Sequence, residues 1–165
     1  MMKTPIKLLT VILLFATSQA SAQSAIPKWK IADLERYMDT TSAPTILNFW
    51  ATFCKPCIAE IPHFQAMTAK YRSSGVRLLL VSLDLPEDYK KIKAFAQKRK
   101  ITAPIVFLDE SNADLFCPKV DSIWSGALPA SLFINRKNGY RYFIEESLSR
   151  TQLELQIRKM LALPQ

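Results

Sequence analysis

The residues best suited to chemistry in this chain are two cysteines three apart, in Cys54-Lys55-Pro56-Cys57. They follow an apolar run rich in strand formers, Leu47-Asn48-Phe49-Trp50, and open a stretch of helical periodicity. The spacing therefore predicts both sulfurs at a passage from strand into helix. A cysteine at a helix N-terminus faces free backbone N–H groups and the positive end of the helix dipole, which favour thiolate over thiol. Cys54 is then the attacking sulfur, and Cys57, one turn deeper, is the thiol that resolves a mixed disulfide. Lys55 either adds a positive charge beside Cys54 or is simply solvated. Pro56 falls in the first helical turn, where its missing N–H had no partner.

A structural staple is the plainer reading of two cysteines. Closing a four-residue loop stabilises by only about 2 kcal/mol in the chain-entropy model, against roughly 4 kcal/mol for a loop from Cys54 to Cys117. A pair selected for stability would not stand this close. Metal binding is the rival from another class, a metal-binding or delivery protein using the same thiols. His63, the only histidine, would bring that set to three ligands, a poor copper or zinc site, and its plain reading is a helix-surface residue. Covalent haem attachment needs histidine directly after the second cysteine, and Ile58 stands there. No cofactor or metal is expected. Resolution requires removing a proton from Cys57, and Glu60, three residues on and on the same side of the helix, offers a carboxylate for it.

Trp50-Ala51-x-x-Cys54-x-Pro56-Cys57 resembles the thioredoxin active-site loop, and Asn48-Phe49-Trp50 with Glu60 and Pro62 resembles the TlpA/ResA-like branch of exported thioredoxin-fold proteins. In thioredoxins proper an aspartate matches Asn48, and asparagine cannot act as a base; the TlpA/ResA-like resemblance gives that role to Glu60. It also implies that Leu128-Pro129 is a cis peptide facing the cysteines, Leu128 offering backbone groups to an extended substrate and Pro129 keeping the spot apolar. Ala130 stands where many relatives carry threonine. Trp50 and Phe53 are expected on the substrate-docking surface, although Phe53, in place of a common tryptophan, is equally readable as packing.

The elements that must position these residues are legible from periodicity and punctuation. Residues 31–39 read as a short helix, Thr45–Trp50 as a buried strand, and the stretch after Cys57 as a helix with Ile58, Ile61, Phe64, Met67 and Tyr71 on one face and a kink at Pro62. Val76–Asp84 is nearly continuous in apolar residues, as a central strand requires. Pro86–Lys100 is an amphipathic helix, Pro104–Leu108 a strand, and Ser111–Val120 a short helix or an irregular loop. Asn138-Gly139 between apolar runs 128–135 and 139–144 marks a hairpin, and Ser149–Leu163 is a closing helix. Alternating strands and helices followed by a hairpin and helix argue an α/β sandwich with a mixed sheet, the thioredoxin-like three-layer sandwich that the resemblance also implies.

Upstream, Lys3 and Lys7 precede an apolar run of nine residues, Leu8–Ala16, and Ala20-Ser21-Ala22 fits a small-x-small cleavage site. This is the pattern of a secretory signal peptide over residues 1–22; nine residues fall far short of the roughly 20 that cross a bilayer. The remaining 143 residues, 23–165, make one domain, large enough to bury about two thirds of its unfolded surface. They carry 20 basic residues against 14 acidic ones, with a cluster in Lys90, Lys91, Lys93, Lys98, Arg99 and Lys100. The cluster reads as a solvated helix face, with transient contact to a membrane surface or an acidic partner as its alternative; export argues against nucleic acid. Cys117 is odd in number and is expected as a buried or half-buried thiol, with an intermolecular bridge or a second redox partner as the alternatives.

The sequence thus points to an exported, periplasmic thiol:disulfide oxidoreductase. By resemblance it is a reductase of protein disulfides, such as those of apocytochrome c or other periplasmic thiols, recharged by a membrane or soluble thiol donor. An oxidant or isomerase is the alternative direction, because the cues from Pro56 and from a stabilised thiolate oppose each other.

Overall fold

The computed structural model describes residues 25–164, so the signal-peptide expectation for residues 1–22 lies outside the described residues. Six strands form one sheet in the order β1-β4-β3-β2-β5-β6. They are β1 (Lys28–Trp29), β2 (Thr45–Trp50), β3 (Arg77–Ser82), β4 (Ile105–Leu108), β5 (Ala130–Asn135) and β6 (Tyr140–Ile144). β1, β4, β3 and β2 run parallel, while β5 pairs antiparallel with β2 and β6 with β5. The mixed sheet is as the sequence predicts. Only the two-residue edge strand β1 was not foreseen, being too short to show a period.

Among the described residues, five α-helices cover the sheet: α1 (Ile31–Thr40), α2 (Lys55–Lys70), α3 (Tyr89–Lys98), α4 (Ala113–Val120) and α5 (Arg150–Met160). Side-chain alternation along β2 sorts them into two layers. Ile46 and Trp50 enter a core with Ile61 and Phe64 of α2, Ile92 of α3 and Leu153 and Ile157 of α5. Leu47 and Phe49 face the other way, toward Leu34 and Met38 of α1 and Phe116 and Val120 of α4. Asn48 therefore points with Ile46 and Trp50 toward α2. These layers are the thioredoxin-like sandwich.

Local signals account for the element ends. Ser149 caps α5 in a capping box with Gln152. Asn112 caps α4, so 113–120 resolves as a helix despite the interior Pro118. Residues 86–88, expected as the start of one long helix, form a separate 3₁₀ turn before α3. Gly139 takes φ +71° at the β5–β6 hairpin, a conformation that suits glycine.

Candidate active site

The sheet's central strand delivers the chain to the chemistry. After β2, Cys54 leaves the strand with φ −83° and ψ 96° and becomes the N-cap of α2. Its Sγ accepts the Cys57 N–H at 3.3 Å, the contact through which a helix N-terminus stabilises sulfur charge. Pro56 sits in the first turn, and that turn carries no acidic residue. Cys54 and Cys57 are joined as a disulfide with Cα atoms 5.3 Å apart. Cys54 keeps 8% of its surface and Cys57 none. Cys54 is thus the less covered of the two.

The turn before Cys54 is fixed by a residue not foreseen as part of the site. Asp84, buried at the end of β3, accepts the Thr52 N–H at 3.0 Å, the Thr52 hydroxyl, and the Ser82 hydroxyl at 2.7 Å. In sequence it was merely the polar residue that ended an apolar strand. The Ser82-x-Asp84 spacing, short enough for a side-chain turn, was the available signal.

Leu128-Pro129 is cis, as the resemblance implies. Pro129 is buried and Leu128 half-buried. The loop leading to it is tied by Glu145, whose carboxylate accepts the Ala127 N–H at 2.7 Å, the Ser125 N–H at 3.2 Å and the Ser125 hydroxyl. Burial works to raise the pKa of Glu145, yet these hydrogen bonds hold it below the usual carboxylate value. A groove of about 730 Å³ runs between this loop and Cys54. Phe53, Leu83, Leu85, Phe116 and Leu128 make its apolar lining, with Lys55, Asp84 and Glu110 as its charged members. Phe53 is 64% exposed at the groove.

Trp50 is not exposed there. Expected on the docking surface, it is fully buried and packs 6.1 Å from the Phe95 ring. Its position at the end of β2 turns it into the apolar layer with α2 and α3, and it does not line the groove. Lys55 and His63 are exposed. Cys117 is buried under the groove wall, and burial, followed by the charges of Glu145 and Asp114, pushes its thiol up to about 11.

Behind Cys57 lies a polar cluster inside the apolar layer. Glu60 is 3% exposed, one helical turn after Cys57. Its Oε2 accepts the Leu148 N–H at 2.9 Å and its Oε1 accepts Asn48 Nδ2 at 2.9 Å. Asn48 Nδ2 also donates to Ser131 Oγ at 3.1 Å, across the antiparallel pairing that sets Asn48 opposite Ser131. Burial raises the Glu60 pKa above its ordinary value, against the opposing effect of the Leu148 and Asn48 hydrogen bonds. A carboxyl so placed is better suited to take a proton than an exposed one. Ser131 and Leu148 were not singled out from sequence, since strand register and the approach of a distant amide carry no local signature. Among the described residues, no group of three or more histidine, cysteine or acidic side chains is placed to hold a metal ion, and no helix is long and apolar enough to cross a membrane.

A thioredoxin-like sheet with a Cys-x-x-Cys capping its central helix and a cis-proline loop opposite defines a thiol:disulfide oxidoreductase. The chain belongs to the AhpC/TSA family, whose pattern matches residues 20–142. It is 28% identical over 135 residues to the thiol-disulfide oxidoreductase ResA of Geobacillus kaustophilus, covering 79% of this chain and 73% of that one. Among solved structures it is similar to StoA of Bacillus subtilis, with 26% identity and a TM-score of 0.54 over 72% of this chain and 84% of that one. It shares its fold with a thiol:disulfide interchange protein of the thioredoxin family from Chlorobium tepidum, with a TM-score of 0.60 and 20% identity over 76% of this chain and 84% of that one.

Proposed function

We propose that this chain is an exported disulfide reductase of protein substrates, acting through Cys54 as nucleophile, Cys57 as resolving thiol and Glu60 as proton acceptor. The observation that carries this is the asymmetry of the pair: a Cys54 that keeps 8% of its surface on a helix N-terminus and a fully buried Cys57 one turn from a buried carboxyl. In the reduced protein the Cys54 thiolate attacks a client disulfide, forming a mixed disulfide and releasing one client sulfur as thiolate. Cys57 then gives its proton to Glu60 and attacks Cys54 Sγ. The Cys54–Cys57 bond forms, the mixed disulfide breaks, and the second client sulfur leaves with the electron pair and takes up a proton. Two electrons have passed to the client. A thiol donor, membrane-bound or soluble, restores the dithiol.

The client is held extended along the groove between Phe53 and Leu128, with Pro129 behind it. Export rests on the pattern of residues 1–22 and places the mature domain at 23–165 in the periplasm, where apocytochrome c and other thiol proteins are substrates of the right chemistry. The basic stretch 90–100 is available for transient contact with the membrane surface.

The test is the reduction potential of the pair in glutathione buffers, read by alkylation gel shift in a Cys117→Ser background. A value at or below about −230 mV supports the reductase; about −120 to −180 mV makes the protein an oxidant or isomerase. Absence of a two-electron transition overturns the enzyme reading in favour of metal binding by the same thiols. Trapping of a client as a mixed disulfide on Cys57→Ser, and not on Cys54→Ser, checks the order of attack.

A further inference from the structure

The cluster behind Cys57 contains a buried atom with nothing to do. Asn48 is fully buried, yet its Oδ1 has no hydrogen-bond partner, while its Nδ2 donates twice, to Glu60 and to Ser131. An orphaned buried acceptor carries a cost that selection for stability alone would remove. Leucine at this place would fill the same layer without it.

The arrangement makes sense once the Glu60 carboxyl is followed through a proton transfer, and the argument rests on Glu60 being the proton acceptor proposed above. When ionised, Glu60 needs donors at both oxygens, and it has them in Leu148 N–H and Asn48 Nδ2. Once protonated it must donate. The Leu148 amide facing Oε2 can only donate, so it cannot serve an added proton. The partner at Oε1 is different. A half-turn of the Asn48 amide exchanges Nδ2 for Oδ1, two ends of nearly the same size, and presents an acceptor to a proton on Oε1. Ser131 follows the same logic, because its hydroxyl accepts from Nδ2 in one orientation and donates to Oδ1 in the other. In either orientation one end of the amide is left without a partner, an oxygen in one and an NH₂ in the other, and the proton on Glu60 tips the balance between them. No charged side chain adds to burial and the Leu148 and Asn48 hydrogen bonds in setting Glu60. Cys57, one turn earlier on the same helix, becomes titratable only when the disulfide is reduced.

We propose that Asn48 and Ser131 are a reversible amide–hydroxyl pair that holds the Glu60 carboxyl in one position in both its ionised and its protonated form. They are positioning residues: neither touches the sulfurs, and each acts through Glu60. The proposal also accounts for asparagine where an aspartate would itself be the base. Here the strand supplies a group that adapts to a base carried by the helix.

The test is a pH titration of the oxidised full domain, in which Cys57 does not ionise, following the Glu60 side-chain carboxyl carbon and the Asn48 side-chain NH₂ by NMR. The expected result is that the Asn48 resonances move with the same midpoint as Glu60, which needs no variant to fold. Asn48→Leu should shift the Glu60 midpoint up by about one pH unit, since the ionised form loses a donor, and should move the pH profile of the resolving step with it. Ser131→Ala should slow resolution several-fold and Ser131→Thr restore it, whereas a merely structural role would lower stability and leave the midpoint fixed. Asn48 resonances that stay still through the Glu60 titration overturn the pair. Glu60→Gln separates the two ideas. An unchanged exchange rate in that variant defeats Glu60 as acceptor, while the titration of the parent protein still decides whether the pair reverses.

Discussion

Asp84 Oδ1 accepts the main-chain N–H of Thr52 at 3.0 Å and the hydroxyl of the same residue, two positions before Cys54. One carboxylate thus clamps the end of β3 to the turn that launches the nucleophile. Replacing Asp84 by alanine leaves two Thr52 donors and the Ser82 hydroxyl without their acceptor. The expected loss is about 2–3 kcal/mol, with Asp84→Asn losing less because it keeps one acceptor oxygen. Urea unfolding of the oxidised protein reads both, and a loss below about 0.5 kcal/mol for the alanine variant would remove the clamp from the account.

Glu60 makes a stability prediction of definite sign. Its folded-state pKa lies above the ordinary 4.5, chiefly through burial. The folded protein therefore holds more protons at this site than the unfolded chain between the two values, and stability falls as pH rises through that interval. Its contribution is fully present below about pH 4.5 and is lost above the folded value. The stability of the oxidised parent minus that of Glu60→Gln should decrease as pH rises from about 4.5 through the folded value. A difference that is flat, or that grows with pH, contradicts the raised value.

Cys117 should behave as an inert thiol. It is buried, and its pKa of about 11 leaves almost no thiolate at neutral pH. Brief treatment of the reduced, folded protein with iodoacetamide should label Cys54 and spare Cys117, which reacts only on unfolding. Mass spectrometry of the peptides distinguishes the two sites. Labelling of Cys117 at a rate comparable with Cys54 would make it a second exchange partner.

How much was legible before the structure depends on whether a residue's partner is near in sequence. The Cys54 cap, the Asn-Gly hairpin, the apolar face of α2 and the presence of α5 are local patterns, and they were read directly. Glu60 was placed on the Cys57 side of its helix by spacing alone. What sequence could not carry was the other half of each long-range pair. Asp84 meets Thr52 across 32 residues, Ser131 meets Asn48 across 83, and Leu148 meets Glu60 across 88. Trp50 failed for a related reason. Its motif position was right, but β2 is covered on both faces, and the motif does not show that the helix layer closes over Trp50.

The groove makes the last prediction. Phe53 and Leu85 line it and are 64% and 54% exposed, so neither contributes much to the core and both are free to be covered by a client. Phe53→Ser with Leu85→Ser should therefore leave stability within about 0.5 kcal/mol. Each side chain buried by a docked client is worth about 1–2 kcal/mol of apolar contact, so the double variant should raise KM for a protein disulfide by about tenfold or more. Turnover of a small aromatic disulfide, which reaches Cys54 without filling the groove, should change little. Loss of rate toward both substrates alike would place Phe53 and Leu85 in support of the Cys54 turn and take the docking surface elsewhere.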